Sequence, residues 1–315
     1  MFDFKFKKRV LFIGVPDMAF VGMEMLLKAG ANIVGVVGPK KNHNTYQNFR
    51  DYVYSKRLNF IEYDRLDEPQ LLNTLRELNI DIALTFSFNE KIPKVFMDTI
   101  KDGILNMHPS MLPNYRGGNP YSRVILNNER ETGVTVHFMS EEFDTGDIVA
   151  QEIYKLKPDE TMGTLFNITN NIGCKMQLKA LIEYEKKGVL PRRKQPLGDF
   201  IKAPNIKENE RFINYNNSAD DIERKVRALN PFIVALTLFR DQVIYLHKVK
   251  VEHTDMPDNF ANGEICKIEN DKVYIKTSKG CIIPQVLQYG GYFIGDCADF
   301  IKIVNPQTGE KFING

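Results

Sequence analysis

Residues 103–151 read GILNMHPSMLPNYRGGNPYSRVILNNERETGVTVHFMSEEFDTGDIVAQ. Gly103–Met107 is a short apolar run closed by Pro109, the pattern of a strand buried on both faces. It ends on an Asn-x-His pair, Asn106 and His108. Side chains at i and i+2 of a strand share a face, so a carboxamide and an imidazole can address one carbonyl oxygen. Thr132–Met139 alternates in strand fashion, and Asp144 follows in the turn-rich Asp-Thr-Gly-Asp segment.

Outward from this stretch, strands are expected at Arg9–Val15, Asn32–Val37, Leu58–Tyr63 and Asp81–Phe88. Helices are expected at Met18–Ala29 (closed by Gly30), Pro69–Leu78 and, briefly, Pro93–Thr99, with a long one from Thr161 to Lys187. Apolar strands separated by helices predict an α/β, Rossmann-like, mostly parallel sheet with helices on both faces. Such sheets place ligands at the carboxyl ends of their strands, where Asn106 and His108 fall. The polar, proline-rich run Leu190–Glu210 reads as a linker. Beyond it, Ser218 is placed to cap a helix reaching Leu229. Short strands at Ala235–Phe239, Gln242–Val251, Gly263–Glu269, Lys272–Thr277 and Gly280–Val286 then suggest a small barrel. The expected division is a catalytic domain over 1–188, a linker over 189–210 and a barrel domain over 211–315.

At 315 residues the chain suits about two domains. A net charge of +2 implies neither a nucleic-acid coat nor a membrane surface. Cys174, Cys266, Cys281 and Cys297 form no C-x-x-C pair and read as free thiols of a reducing cytosol. The opening MFDFKFKKRVLFIG has an apolar core too short for a signal peptide. No stretch approaches the roughly 20 apolar residues of a spanning helix. A cytoplasmic protein is expected.

An imidazole needs an orienting acceptor, and Asp144 supplies one for His108. Asn106, His108 and Asp144 together could polarise a carbonyl and move a proton, which points to acyl transfer without a covalent enzyme intermediate. His43, His137, His247 and His253 read as surface or satisfied core residues. The first turn, Gly14-Val15-Pro16-Asp17, lacks the further glycines of a dinucleotide fingerprint. Gly117-Gly118 with Arg116 could cradle an anion. Lys40-Lys41 reads as a solvated loop tip, and Lys186-Lys187 with Arg192-Arg193-Lys194 as a helix end and linker. No His/Cys cluster has zinc-ligand spacing, so no metal is expected.

HPSMLPNYRGGNP, ETGVT and DTGD together resemble the signature of the 10-formyltetrahydrofolate-dependent formyltransferases. RVLFIGVPDMA is similar to the first strand and turn of the methionyl-tRNA enzymes, and SADDIERKVRALNPF to the start of that family's C-terminal, OB-like barrel domain. The resemblance implies a catalytic set of Asn106, His108 and Asp144, with 10-formyltetrahydrofolate as co-substrate. It implies folate contacts, mostly through backbone, at Phe86, Ser87, Phe88, Asn89, Lys91 and Ile92, and along Glu141 to Asp144, including Phe143. Tyr115, Arg116 and Gly117 would face the acceptor.

The resemblance also implies a primary amine as the acceptor. Methionyl-tRNA enzymes carry a long basic loop with Gly-Arg-Gly after the second strand, whereas this chain has GPKKNHNTYQNFRDYV there. SFNEKIP, Tyr115-Arg116-Gly117 and Asn127-Asn128-Glu129 resemble the formyltransferases of nucleotide-linked aminoarabinose. The expectation is therefore a nucleotide-linked amino sugar, with initiator methionyl-tRNA as the alternative. A formyltetrahydrofolate hydrolase would use a similar triad with water, normally behind an N-terminal regulatory domain. A nucleic-acid-binding barrel would present Tyr245, Tyr274, Tyr289 and Tyr292, but without dense basic interleaving. Oligomeric state is not legible.

Overall fold

The computed structural model describes residues 6–16, 18–254 and 259–313. Asp17 of the first turn lies outside them, as do the first five residues of the opening segment. By their contacts the described residues form two compact units, one of residues up to Gly118 with Glu131–Lys155 and Asn167–Ala203, the other of Asn119–Arg130, Leu156–Phe166 and the chain from Pro204.

The first unit alternates β1 (Val10–Gly14), α1 (Met18–Lys28), β2 (Ile33–Pro39), α2 (Asn44–Ser55), β3 (Phe60–Tyr63), α3 (Pro69–Glu77), β4 (Ile82–Phe86), α4 (Lys94–Met97) and β5 (Ile104–His108). β1 and β4 are buried along their whole length, as their unbroken apolar runs require. α3 starts with Pro69 in its first turn and buries Leu71, Leu72 and Leu75 on one face. The strand order β3-β2-β1-β4-β5-β6-β7 is parallel through β5. Two antiparallel strands, β6 (Glu131–Phe138) and β7 (Ile148–Lys155), complete it. The order reverses between β1 and β4, and ligand crevices open at the strand ends beside such a switch.

Gly22 of α1 lies so close to Phe86 that a Cβ there would come within 2.3 Å of the ring. Phe86 in turn stacks on Phe12 with centroids 4.7 Å apart. Its side chain therefore belongs to the core under α1.

The expected boundaries shift in two places. Residues 190–203, expected as linker, pair with the first unit through backbone bridges Ile148–Arg193 and Arg116–Lys202; an extended run satisfies its N–H and C=O groups on whatever edges it reaches. α5 (Pro120–Leu126) and the start of α6 (Met162–Lys187), expected in the catalytic domain, group with the C-terminal elements. Edge-to-face rings explain this, since Tyr121 and Phe232 each sit 5.4 Å from Phe166.

In the second unit Ser218 caps α7 (Ala219–Leu229), its hydroxyl accepting the Asp221 N–H at 3.2 Å. β8 (Ala235–Phe239), β9 (Gln242–Glu252), β10 (Ile265–Glu269), β11 (Lys272–Lys276), β12 (Cys281–Tyr289), β13 (Phe293–Gly295) and β14 (Phe312–Ile313) form an antiparallel sheet curled into a half-barrel. Its core includes Ile222, Val226, Phe239, Phe300 and Phe312. The sequence patterns had not marked β13, β14 or α8 (Cys297–Val304). All four cysteines are free and buried, and no described helix is long and apolar enough to cross a membrane.

Candidate active site

β5 lies between β4 and β6, and the register sets Asn106 opposite His137 and His108 opposite Thr135. Thr85, on β4, donates its hydroxyl to Asn106 Oδ1 at 2.6 Å. His137 Nδ1 is 2.8 Å from the carbonyl of Phe138, which can only accept, so Nδ1 carries the hydrogen. Burial pushes the His137 pKa down to about 4, leaving the ring neutral and its Nε2 bare. Asn106 Nδ2, 3.2 Å away, must then be the donor to Nε2. This fixes the orientation of the Asn106 carboxamide and leaves its second N–H for a ligand.

His108 is 5% exposed. Its Nε2 donates to the carbonyl of Tyr115 at 2.7 Å, and its Nδ1 faces Asp144 Oδ1 at 3.4 Å. A carbonyl can only accept, so Nε2 carries a hydrogen, and Nδ1 is the nitrogen turned toward the carboxylate. Asp144 has a left-handed backbone (φ 57°) that turns its carboxylate inward. Its Oδ2 accepts the Gly117 N–H at 2.9 Å. Gly117 has φ 123°, and a Cβ there would stand 2.6 Å from the Ala203 carbonyl, so only glycine brings this amide to Asp144.

A small cavity, partly open to solvent, lies at these strand ends. Asn106 and Asp144 line it, together with Phe88, Lys91, Ile92 and Phe143 of the expected folate walls. His137, Met139, Ser140 and Glu142 join them, and a 3.0 Å ion pair between Lys91 and Glu142 spans its rim. His108 stands behind Asp144 and is not part of the lining. Phe86, Ser87, Asn89 and Glu141 are also absent from it; Phe86 is buried in the core, and Asn89 and Glu141 are exposed. Tyr115 and Gly117 serve His108 and Asp144 through their backbone. The Arg116 guanidinium holds Gln195 Oε1 at 3.2 and 2.5 Å and packs over Phe200. Among the described residues no group of three or more His, Cys, Asp or Glu could hold a metal ion.

Thr85, His137 and Gln195 are the polar groups that sequence reasoning missed. One signal was available for His137: Thr135 and His137 repeat on β6 the same i, i+2 spacing that singled out Asn106 and His108.

A formyl transferase family model matches residues 22–181, and the model of the formyl transferase C-terminal domain matches 205–305. The chain belongs to the formyl transferase family. Among its relatives, a methionyl-tRNA formyltransferase of Agathobacter rectalis is 29% identical over 310 residues, covering 96% of this chain and 99% of its own. One of Azobacteroides pseudotrichonymphae is 30% identical over 319 residues, covering 94% and 96%. Among solved structures, a Helicobacter canadensis N-formyltransferase in complex with folinic acid and dTDP-3-aminofucose shares the fold with a TM-score of 0.68 and 21% identity. That likeness covers 90% of this chain and 99% of that one. HypX of Aquifex aeolicus with tetrahydrofolic acid aligns at a TM-score of 0.63 and 17% identity, over 96% of this chain and 48% of its own.

Proposed function

We propose that this enzyme transfers the formyl group of 10-formyltetrahydrofolate to a small primary amine, foremost the amine of a nucleotide-linked amino sugar. The cavity suits the donor chemically. Phe88, Ile92, Met139 and Phe143 offer apolar walls to a flat heterocycle, and Asn106 offers an N–H to the formyl oxygen. The neutral amine attacks the formyl carbon, and a C–N bond forms. Asn106 donates to the developing oxyanion, and Asp144, positioned by His108, places a carboxylate beside the reacting centre. The bond from the formyl carbon to folate N10 then breaks. The proton lost by the amine ends on N10, relayed by Asp144 directly or through water.

The observation that carries the acceptor assignment is the connection after β2. Only residues 40–43 separate Pro39 from the start of α2, and His43 caps that helix by accepting the Thr45 N–H. A connection this short leaves no extended basic loop to grip an acceptor stem. The methionyl-tRNA reading has its own support, because relatives of that name match along nearly the full chain.

The deciding experiment follows tetrahydrofolate release from 10-formyltetrahydrofolate with nucleotide amino sugars, with methionyl-tRNA, and with buffer. Turnover is expected with an amino sugar. Faster turnover with methionyl-tRNA would overturn the acceptor, and equal turnover in buffer would indicate a hydrolase.

A further inference from the structure

We infer that Gln195 is a positioning residue that sets the reactive geometry of Asp144. The inference rests on the triad reading above. Gln195 comes from the stretch 190–203, whose backbone is tied down on both sides of it. Arg193 pairs with Ile148, and the segment Ile201–Ala203 pairs with Tyr115 and Arg116, through Tyr115 N–H to the Ile201 carbonyl at 2.5 Å and Ala203 N–H to the Arg116 carbonyl at 2.7 Å.

Between these anchors the Gln195 carboxamide makes four contacts. Its Nε2 donates to the carbonyls of Asp144 and Gly146, each at 2.8 Å. Its Oε1 accepts from Arg116 Nε and Nη2. Two carbonyls on one end and a guanidinium on the other fix which end is nitrogen. One side chain thus joins the turn that carries Asp144 to the loop that supplies its Gly117 N–H and the Tyr115 carbonyl bound by His108.

The Asp-Thr-Gly-Asp turn needs this clamp. Asp144 is left-handed, and its neighbours Glu141, Glu142, Phe143 and Thr145 are exposed, so no apolar packing around them fixes the turn. The side-chain bonds within the turn, among Ser140, Glu142 and Thr145, involve neither the Asp144 nor the Gly146 carbonyl. Without Gln195 Nε2, both carbonyls lose the partner seen here, and the carboxylate is held against His108 chiefly by the Gly117 N–H. A displacement near 1 Å at a reacting group can cost on the order of 100-fold in rate.

Gln195→Met keeps the length of the side chain and removes every hydrogen bond. The expected result is a fall in kcat of roughly 10- to 100-fold, with KM for the folate donor within about twofold and an unchanged melting temperature. Gln195→Glu keeps the contact with Arg116 but turns an oxygen toward two carbonyls, so it should lose kcat at least as much as Gln195→Met. It also serves as the second variant should Gln195→Met fold poorly.

The decisive measurement is the cycle with Asp144→Asn. If Gln195 acts through Asp144, Gln195→Met should cost less than about threefold once Asp144 is Asn. Full multiplicative losses in the double variant, or wild-type kcat in Gln195→Glu, would overturn the inference. An Asp144→Asn enzyme with undiminished kcat would instead sink the triad reading on which it rests.

Discussion

Thr85, His108, Thr135 and His137 are each at most 5% exposed at the ends of β4, β5 and β6, while the equally buried interior of the half-barrel is filled by Phe239, Phe300 and Phe312. Burying a polar group costs free energy unless it is hydrogen-bonded. Strand-end partners meet that cost: Thr85 with Asn106, Asn106 with His137, His137 with a carbonyl, His108 with a carbonyl and Asp144. The half-barrel also buries the hydroxyls of Thr237 and Thr277, each donating to a backbone carbonyl, but its centre is apolar, with Phe239 and Phe312 centroids 4.6 Å apart. One region therefore holds preorganised dipoles and the other supplies cohesion. Substitutions in the two should separate into losses of turnover and losses of stability.

The largest expected effect is in the half-barrel. Phe239→Ala removes a fully buried ring and should cost about 3–5 kcal/mol of unfolding free energy, read by urea unfolding, with kcat per folded molecule within about twofold. A collapse of kcat at unchanged stability would break the division. Asn106→Ala is the mirror case. It removes the N–H aimed into the cavity and should lower kcat by roughly 100- to 1,000-fold, with a smaller loss of stability than Phe239→Ala, about 1–3 kcal/mol, because it removes a partner of Thr85 and of His137. Turnover within about threefold of wild type would remove Asn106 from the chemistry.

Much of this division could be read from the chain. Asn106 and His108 declared themselves by i, i+2 spacing at a strand end, and Asp144 by the need of His108 for an acceptor. Thr85 and His137 did not, because their roles depend on the register of β4 and β6 against β5, which no local pattern encodes. The burial of the Phe86 side chain follows from the same strand geometry and leaves only its backbone for the expected folate contact. Successive strand residues point to opposite faces, so with Thr85 turned to Asn106, Phe86 turns under α1. Gln195 was hidden in a polar, proline-rich run, with partners about 50 residues or more away in sequence. β13 and β14 are three and two residues long, too short to leave a period.

The buried histidine sharpens the comparison through pH. His137 keeps a pKa of about 4 when folded, against 6.5 when exposed. Above pH 6.5 both states are neutral, so the full contribution to stability is present. As pH falls from 6.5 toward 4 the unfolded chain takes up a proton that the folded one refuses, and stability is lost. Between pH 7 and pH 5 that loss is roughly 2 kcal/mol. Urea unfolding of wild type and His137→Phe at both pH values isolates it, and the variant should lose that much less. Equal losses would mean that His137 is charged in the folded state, and its Nε2 could then no longer accept from Asn106.

The smallest expected effect tests whether the second unit, like the first, relies on polar groups where backbone is left unpaired. Ser218 accepts the Asp221 N–H at the start of α7 and donates to the Asp221 carboxylate at 2.6 Å. That carboxylate, held below its usual range first by Ser218 and then by Arg224, sits in the helix's first turn where negative charge is favoured. Ser218→Ala removes the cap and should cost about 1 kcal/mol, while Ser218→Asp should recover most of the loss at neutral pH despite its proximity to Asp220 and Asp221. α7 buries Ile222, Val226 and Leu229 in the half-barrel core, so its frayed first turn should show faster amide exchange without any change in kcat. Loss of turnover in Ser218→Ala would mean that α7 reports to the strand ends, and the separation between the two regions would fail at its weakest point.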